Sequence, residues 1–257
     1  MALLIFIFGL AVGSFLNVVI ARLHSHESFL KGRSHCPHCR GQLAWHDNIP
    51  LLSFALLGGK CRRCQKRISW QYPAVELATG VLFVLTYVHN LPMAGEYFIL
   101  NIRDWFFIAV LLVIFVYDLR WYLILDSITI PAIIIAFIGN LFLSASWRVD
   151  FLNLALAVVI GGGFFLLQFL VSRGKWIGGG DIRLGALMGA LLGFPQVLVV
   201  LAFAYFSGAI VGIGLVAAGR KQFSARVPFG TFLSAGTIIA LLYGEVILRW
   251  YLGIIGY

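Results

Sequence analysis

The sequence has few charged residues. Of its 257 residues, 11% are Asp, Glu, Lys or Arg, whereas globular proteins have about 25%. Hydrophobic residues make up 61% of the chain. These figures exclude a disordered tail, a nucleic-acid binder, a coiled coil and a collagen, and four cysteines in 257 residues exclude a secreted disulfide scaffold. The composition predicts a membrane protein.

Eight apolar segments are candidates for membrane spans, because a helix needs about 20 apolar residues to cross a hydrocarbon core of about 30 Å. We therefore predict an all-α polytopic fold with about eight transmembrane helices. The spans are expected at 2–21, 74–92, 104–118, 127–145, 151–172, 182–194, 196–218 and 229–248. The run from 182 to 218 is too long for one span, which predicts a hinge at Gly193-Phe194-Pro195 after a short first helix.

The spans divide the chain into three parts. Residues 1–21 form the first transmembrane helix, 22–72 form a small polar domain, and 73–257 form a seven-helix membrane domain. Nothing before the first helix resembles the basic region of a secretory signal peptide, so we expect this helix to be retained.

The distribution of basic residues predicts the orientation, since Lys and Arg in short loops stay on the cytoplasmic side. If 22–72 is cytoplasmic, eight crossings place sixteen of the nineteen basic residues inside and only Arg103, Arg148 and Arg249 outside. Both termini then lie outside. We expect a multi-pass membrane protein whose charge of +9 faces anionic lipid on the cytoplasmic side and needs no nucleic acid to explain it.

All four cysteines lie in the polar domain, as Cys36-Pro-His-Cys39 and Cys61-Arg-Arg-Cys64. Two such pairs supply four thiolates that can surround one zinc ion, and four protein ligands leave no position for a reactive water. We therefore predict a structural zinc site. Two disulfides or four free thiols are the alternatives, and His35 or His38 could replace a cysteine as ligand.

Two aspartates lie at the predicted cytoplasmic edge of the membrane. Asp118 ends the third span, and Asp181 begins the sixth after three glycines, Gly178, Gly179 and Gly180, that allow close approach of another segment. Two adjacent carboxyl groups can share one proton while one of them activates water, as in aspartic proteases. The residues alone also allow structural roles without catalysis, because Asp118 could pair with Arg120 and Asp181 could cap its helix.

Three further acidic residues have simpler explanations. Asp126 and Glu76 each begin a span, where a carboxylate interacts favourably with the helix dipole. Glu245 is one turn from Arg249, which predicts a buried ion pair. The sequence does not indicate a serine hydrolase or a metalloprotease, because it has neither G-x-S-x-G nor H-E-x-x-H.

The motifs, taken in order, resemble those of the bacterial type IV prepilin peptidases, or prepilin leader peptidase/N-methyltransferases, which are membrane aspartic proteases of the GxGD type. The similar segments are Gly13-Ser-Phe-Leu-Asn17, the two cysteine pairs, Trp45-His-Asp-Asn-Ile-Pro-Leu-Leu-Ser53, Tyr72-Pro-Ala-Val-Glu76, Asp118-Leu119 with Asp126 and Thr129, and Gly178-Gly-Gly-Asp181. Two positions depart from the family pattern: Leu125 replaces a common proline and Arg183 replaces a common lysine.

The resemblance implies that Asp118 and Asp181 are the catalytic pair, and that the glycines before Asp181, together with Arg183 and Asp126, belong to the motifs that position substrate. It implies cleavage of the basic leader of a prepilin or pseudopilin whose apolar helix lies in the bilayer. It also implies methylation of the new N-terminus with S-adenosylmethionine, which we expect to involve the zinc domain at the membrane face.

Three other functions remain compatible with the sequence. The protein could be a peptidase without methyltransferase activity, or a non-catalytic zinc-bearing membrane protein of a pilus or secretion assembly. It could also be a transporter or channel with acidic residues along an ion path. The clustering of acids at one edge and the lack of an evident internal repeat argue against transport.

Overall fold

The computed structural model describes residues 1–28, 32–90, 97–143, 146–219 and 227–254, and for Tyr97 and Trp147 the backbone alone. Within these ranges the chain is helical and has no strand longer than an isolated bridge. The helices are α1 (Ala2–Ser25), α2 (Leu52–Leu56), α3 (Gln71–Asn90), α4 (Tyr97–Trp121), α5 (Asp126–Phe142), α6 (Trp147–Ser172), α7 (Gly179–Leu192), α8 (Gln196–Ala217) and α9 (Phe229–Ile254), with a 3-10 turn at Trp45–Asn48.

The predicted all-α membrane fold is confirmed. Each of the eight predicted spans corresponds to a helix, and six helices in the described part of the chain are long and apolar enough to cross a membrane: α1, α3, α4, α6, α8 and α9. The other two are shorter, with 17 residues in α5 and 14 in α7. At about 1.5 Å per residue, α7 is about 21 Å long, less than the hydrocarbon thickness of about 30 Å.

The chain forms two compact units, Met1–Val113 and Ile114–Tyr257, and the boundary between them in the sequence falls within α4. The sequence analysis divides the chain differently, after residues 21 and 72, because it separates the membrane segments from the zinc domain. That three-part division stays a prediction. In the first unit, α1 packs against α3. Gly13 allows this approach, because a side chain there would stand 2.7 Å from the Cα atom of Glu76.

In the second unit α7 is the central helix and packs against α5, α6, α8 and α9. Its tightest contact is with α6, where small residues on both helices let the two backbones touch directly. A methyl group at Gly189 would stand 2.3 Å from the carbonyl oxygen of Ala157, and one at Gly185 would stand 2.5 Å from that of Gly161. These contacts fix the axial position of α7 and therefore the depth at which it begins.

The predicted hinge is confirmed, since α7 ends at Leu192 and α8 begins at Gln196. Two amide side chains supply the hydrogen bonds that this break would otherwise lose. Asn140 donates to the carbonyl oxygens of Ala190 and Leu191 at 2.8 and 2.9 Å. Asn153 both donates to and accepts from the Phe194 backbone, each at 2.8 Å. Polar residues of α5 and α6 thus hold the end of α7 in an apolar environment.

The α6–α7 contact generates a stability prediction. Gly189→Ala is expected to lower the free energy of unfolding by about 1–3 kcal/mol, because the added methyl group meets the α6 backbone, which cannot move aside like a side chain. Gly163→Ala is the matched control in α6, since a methyl group there has nothing within 4 Å. Thermal unfolding in detergent measures both, and equal midpoints for the two variants would contradict the interpretation.

Candidate active site and metal centre

Asp118 lies in the last turn of α4 and is almost fully buried, with 4% of its surface exposed. Its Oδ2 accepts hydrogen bonds from the Thr231 backbone N–H at 2.8 Å and from the Thr231 hydroxyl at 3.1 Å. Arg120, the alternative partner expected from the sequence, instead lies over the Trp121 ring, 5.4 Å from its centroid. The donors of the Asp118 carboxylate therefore come from α9, 113 positions later in the chain.

Asp181 is half-buried in the first turn of α7. Its Oδ2 accepts a hydrogen bond from the Gly178 backbone N–H at 3.1 Å, so it does cap its helix. The carboxylate also lies close enough to Asp118 for the two charges to interact. Capping and pairing with Asp118 are thus compatible, since the cap occupies one oxygen and the other stays available.

Ile124, in the segment between α4 and α5, contacts both the turn that carries Asp181 and the turn of α9 that binds Asp118. A methyl group at Gly180 would stand 2.8 Å from the Cβ atom of Ile124, and one at Gly230 would stand 2.7 Å from its Cδ1. Ile124 therefore fills the space between the start of α7 and the start of α9. Gly178 and Gly179 are less crowded, since a methyl group at Gly178 would have nothing nearer than 3.6 Å, and one at Gly179 nothing within 4 Å.

Asp126 and Arg183 form an ion pair between the first turns of α5 and α7. Both side chains are partly exposed, at 52% and 39%. Asp126 is therefore a first-turn residue, as expected from the dipole argument, and it also links two helix starts. Arg183 is two residues after Asp181, so the pair joins the turn that carries Asp181 to the start of α5.

Sequence reasoning missed Gly230 and Thr231. Pro228 before an apolar run and a threonine in its first turn are ordinary signals of a helix start, and α9 does begin at Phe229. Nothing local connects these two residues with Asp118, because the contact exists only after α4 and α9 have packed in the same unit.

Two predictions about the remaining acids are wrong. Glu76 lies in the second turn of α3, where it is 7% exposed and accepts a hydrogen bond from the Leu51 backbone N–H at 2.9 Å, so it binds the polar domain and is not a dipole partner. Glu245 does pair with Arg249 at 2.9 Å, but the pair lies on the protein surface with both side chains more than two-thirds exposed.

The four cysteines converge as predicted, with their sulfur atoms all within 4.8 Å of one another. Each pair forms the same turn: the backbone N–H of Cys36 donates to Gly41 and that of Cys61 to Lys66, with Arg40 and Gln65 in the left-handed region. Backbone N–H groups of Cys64 and Arg63 lower the pKa of the Cys61 thiol to about 7, which favours the thiolate that binds metal.

The spacing fits zinc. Zn–S bonds of about 2.3 Å in a tetrahedron imply S···S separations of about 3.8 Å, and the Cys36 and Cys64 sulfurs are 3.9 Å apart. None of the four cysteines forms a disulfide. Within the described residues the ligand cluster contains the four cysteines and neither His35 nor His38.

Two protein-family models match the chain. The Bacterial Peptidase A24 N-terminal domain matches residues 7–90, and the Type IV leader peptidase family matches residues 105–213. The first match contains the cysteine cluster and Glu76, and the second contains Asp118, Asp126 and Asp181.

Curated relatives match over nearly the whole chain. A prepilin leader peptidase/N-methyltransferase of Bacillus subtilis (strain 168) is 35% identical over 253 residues, covering 97% of both chains. Proteins of the same name from Aeromonas hydrophila and Legionella pneumophila are 35% and 30% identical, covering 97% and 98% of this chain and 93% and 95% of their own. No solved structure matches. The chain belongs to the prepilin leader peptidase/N-methyltransferase family.

Proposed function

We propose that this protein is a membrane-embedded aspartic endopeptidase that removes the basic leader from type IV prepilins or pseudopilins and then methylates the new N-terminus. The observation that carries the proposal is that Ile124 packs against both Gly180, next to Asp181, and Gly230, which contacts the Asp118 carboxylate. Two aspartates 63 positions apart in the chain are thereby brought to one end of the second unit. Family membership supplies the substrate class, because the relatives are named for prepilin leaders.

The two carboxyl groups provide acid and base. One deprotonates the attacking water while the other donates a proton to the carbonyl oxygen of the scissile peptide bond. When the tetrahedral intermediate collapses, the leaving nitrogen takes up a proton from the carboxyl group that received it from water. The other carboxylate takes back the proton that it gave to the carbonyl oxygen. Gly178 and Gly179 leave room for an extended substrate backbone beside Asp181, whereas the space beside Gly180 is filled by Ile124. The Asp126–Arg183 pair would orient the polar groups of the substrate.

The site belongs on the cytoplasmic side of the inner membrane. Asp118 is at the end of α4, and Asp126, Asp181 and Thr231 are at the starts of α5, α7 and α9. The basic residues assigned to this side outnumber those on the other by sixteen to three. A substrate whose apolar helix enters laterally from the bilayer would then hold its charged leader in water next to the two aspartates.

Zinc would hold the polar domain together. Residues 32–70 contain only a short helix and a 3-10 turn, so a four-cysteine site supplies the cross-link that an apolar core provides in larger domains. Cys36, Cys39, Cys61 and Cys64 would be its ligands, and they fill its coordination shell. The role is therefore structural and does not extend to activating water.

Methyl transfer requires hydrogen-bond acceptors for positively charged groups. The first unit brings together three side chains with acceptor oxygens, those of Asn17, Gln71 and Glu76. Glu76 is buried and also accepts a hydrogen bond from Ser14; Gln71 donates to Asn17 at 3.3 Å. The Gln71 Oε1 is buried with no hydrogen-bond partner among the described residues. Bound S-adenosylmethionine supplies the methyl group, and Asn17, Gln71 and Glu76 would hold its cationic groups or the amine that accepts the methyl.

The catalytic pair is tested by Asp118→Asn and Asp181→Asn. Each is expected to lower kcat for leader cleavage at least about 100-fold, because the amide can neither accept nor donate the proton that the step requires. Mass spectrometry of a prepilin incubated with detergent-solubilised enzyme follows loss of the leader. Glu245→Gln, in an exposed surface pair, is the control and is expected to cleave normally. Undiminished cleavage by either aspartate variant removes that residue from the pair.

The metal centre is tested by Cys39→Ser. We expect the zinc content of the purified protein to fall from about one ion per chain to near zero, because a neutral hydroxyl is a poor replacement for a thiolate. His38→Ala changes the neighbouring residue and is expected to retain zinc, since His38 lies outside the ligand cluster. Elemental analysis gives the metal content, and full zinc occupancy in Cys39→Ser would contradict the assignment.

The methyl-transfer residues are tested by Glu76→Gln. Loss of the negative charge is expected to lower methylation of the cleaved product at least about tenfold while cleavage stays within about twofold of wild type. The mass gain of one methyl group, followed in the same reaction, separates the two activities. Thr86→Val removes a buried hydroxyl elsewhere in α3 and is the control. Equal loss of both activities in Glu76→Gln would indicate a structural role, and absence of methylation in the wild type would leave a peptidase alone.

A further inference from the structure

The first turn of α9 makes unusually close contact with Asp118. Thr231 directs both its backbone N–H and its hydroxyl at one carboxylate oxygen, Oδ2, and these two bonds are buried. A methyl group at the preceding residue, Gly230, would stand 3.0 Å from the same oxygen and 3.1 Å from the carboxylate carbon. The carboxylate therefore rests directly on the helix backbone, where the unpaired N–H groups of a first turn stabilise negative charge.

We propose that Gly230 and Thr231 are positioning residues that hold Asp118 through Oδ2 and leave Oδ1 as the oxygen that acts on the attacking water. The inference deepens the proposed function and rests on it, because it takes Asp118 as a member of the catalytic pair. It also divides the roles within the pair, with Asp118 as the base and Asp181 as the acid.

The division follows from the hydrogen bonds of the two carboxylates. An oxygen that accepts two hydrogen bonds has both lone pairs occupied and cannot take up a proton, so Oδ2 of Asp118 is excluded. Asp118 Oδ1 then receives the proton of water as the water oxygen bonds to the carbonyl carbon. Asp181, held by the single bond from Gly178, gives its proton to the carbonyl oxygen. Asp118 later passes its proton to the departing nitrogen as the C–N bond breaks, and Asp181 takes back the proton from the hydroxyl oxygen as the C=O bond re-forms.

Gly230 contributes a backbone N–H that also hydrogen-bonds to the Asp118 carboxylate, and its lack of a side chain lets the carboxylate come this close. The atoms that a methyl group would meet are the Asp118 carboxylate and the end of the Ile124 side chain, which can both move by a few tenths of an ångström. The crowding at Gly189 differs, because there the neighbour is helix backbone. A substitution at Gly230 is therefore expected to displace the carboxylate and leave the fold intact.

Ile124 extends the effect to the second aspartate. Its Cδ1 is the atom nearest to a methyl group at Gly230, and its Cβ is the atom nearest to one at Gly180, next to Asp181. A displaced Ile124 presses on the turn that carries Asp181 as well. Crowding at Gly230 thus changes the geometry of both members of the pair, and proton transfer is sensitive to displacements of this size.

Four variants test the inference on the full-length, detergent-solubilised enzyme. Gly230→Ala crowds Asp118, Thr231→Val removes the hydroxyl donor and keeps the N–H, and Thr231→Ser keeps both donors. Gly253→Ala is the matched control on α9, because a methyl group there has nothing within 4 Å. The substrate is a synthetic prepilin, and kcat, KM and the thermal unfolding midpoint are measured for each variant.

We expect Gly230→Ala to lower kcat at least about tenfold and Thr231→Val to lower it about three- to tenfold, both with KM within about twofold of wild type. Thr231→Ser is expected to restore most of the rate lost in Thr231→Val, and Gly253→Ala to match wild type. Such a pattern separates positioning from folding, since a purely structural defect lowers the unfolding midpoint without a specific loss of kcat.

Wild-type kcat in both Gly230→Ala and Thr231→Val overturns the inference, as does a loss of rate that Thr231→Ser shares fully with Thr231→Val. If Gly230→Ala fails to fold, the comparison of Thr231→Val with Thr231→Ser decides. Asp118→Asn is assayed alongside. Normal cleavage by this variant refutes the proposed function itself. If Asp118→Asn is inactive and the Gly230 and Thr231 variants cleave normally, only the positioning role is refuted.

Discussion

A carboxylate buried in a membrane protein must receive its hydrogen bonds from the protein, because lipid offers no donors. For Asp118 these donors come from Gly230 and Thr231, and the contact requires the first turn of α9 to lie at hydrogen-bond distance from the Asp118 carboxylate. Gly230 makes that distance possible. The arrangement of the candidate active site depends on this contact, since Ile124 and the turn before Asp181 are packed around it.

The second aspartate is placed by a different interaction, the direct backbone contact between α6 and α7. Glycines at 161, 185 and 189 bring the two helices together, and Asn140 and Asn153 hold the far end of α7. Because α7 is short and fixed at both ends, its first turn has a defined depth. Two kinds of rigid contact, one polar and one made of small residues, thus bring the carboxylates to the same end of the second unit.

In the first unit, a buried carboxylate and a four-cysteine cluster organise the polar domain. The cysteine turns repeat the same backbone geometry twice and bring four sulfurs together, and Glu76 links the chain between them to α3 through the N–H of Leu51. Leu51 adopts a left-handed conformation, with φ of 59°, at the point where it donates. The polar domain is therefore joined to the membrane helices of its own unit by a specific hydrogen bond beside Asn17 and Gln71.

The helices, the hinge before Pro195 and the cysteine cluster were all predicted from the sequence, because each depends on a local signal: an apolar run of sufficient length, a break within one, or paired cysteines at fixed spacing. The order of motifs likewise indicated the family and the two aspartates. The roles of Glu76 and Glu245 were predicted wrongly, since burial depends on which helix face finds a neighbour, and position along a span does not report it.

Local chemistry along the chain determined that this is a helical membrane protein with a zinc-type cysteine cluster and candidate acids at one membrane edge. Only tertiary structure decided what surrounds those acids. The donors to Asp118 are 113 positions away, and Ile124 connects two glycine turns that are 50 positions apart. Such contacts arise when helices pack, and neither periodicity nor motif spacing encodes which side chain will meet which helix end.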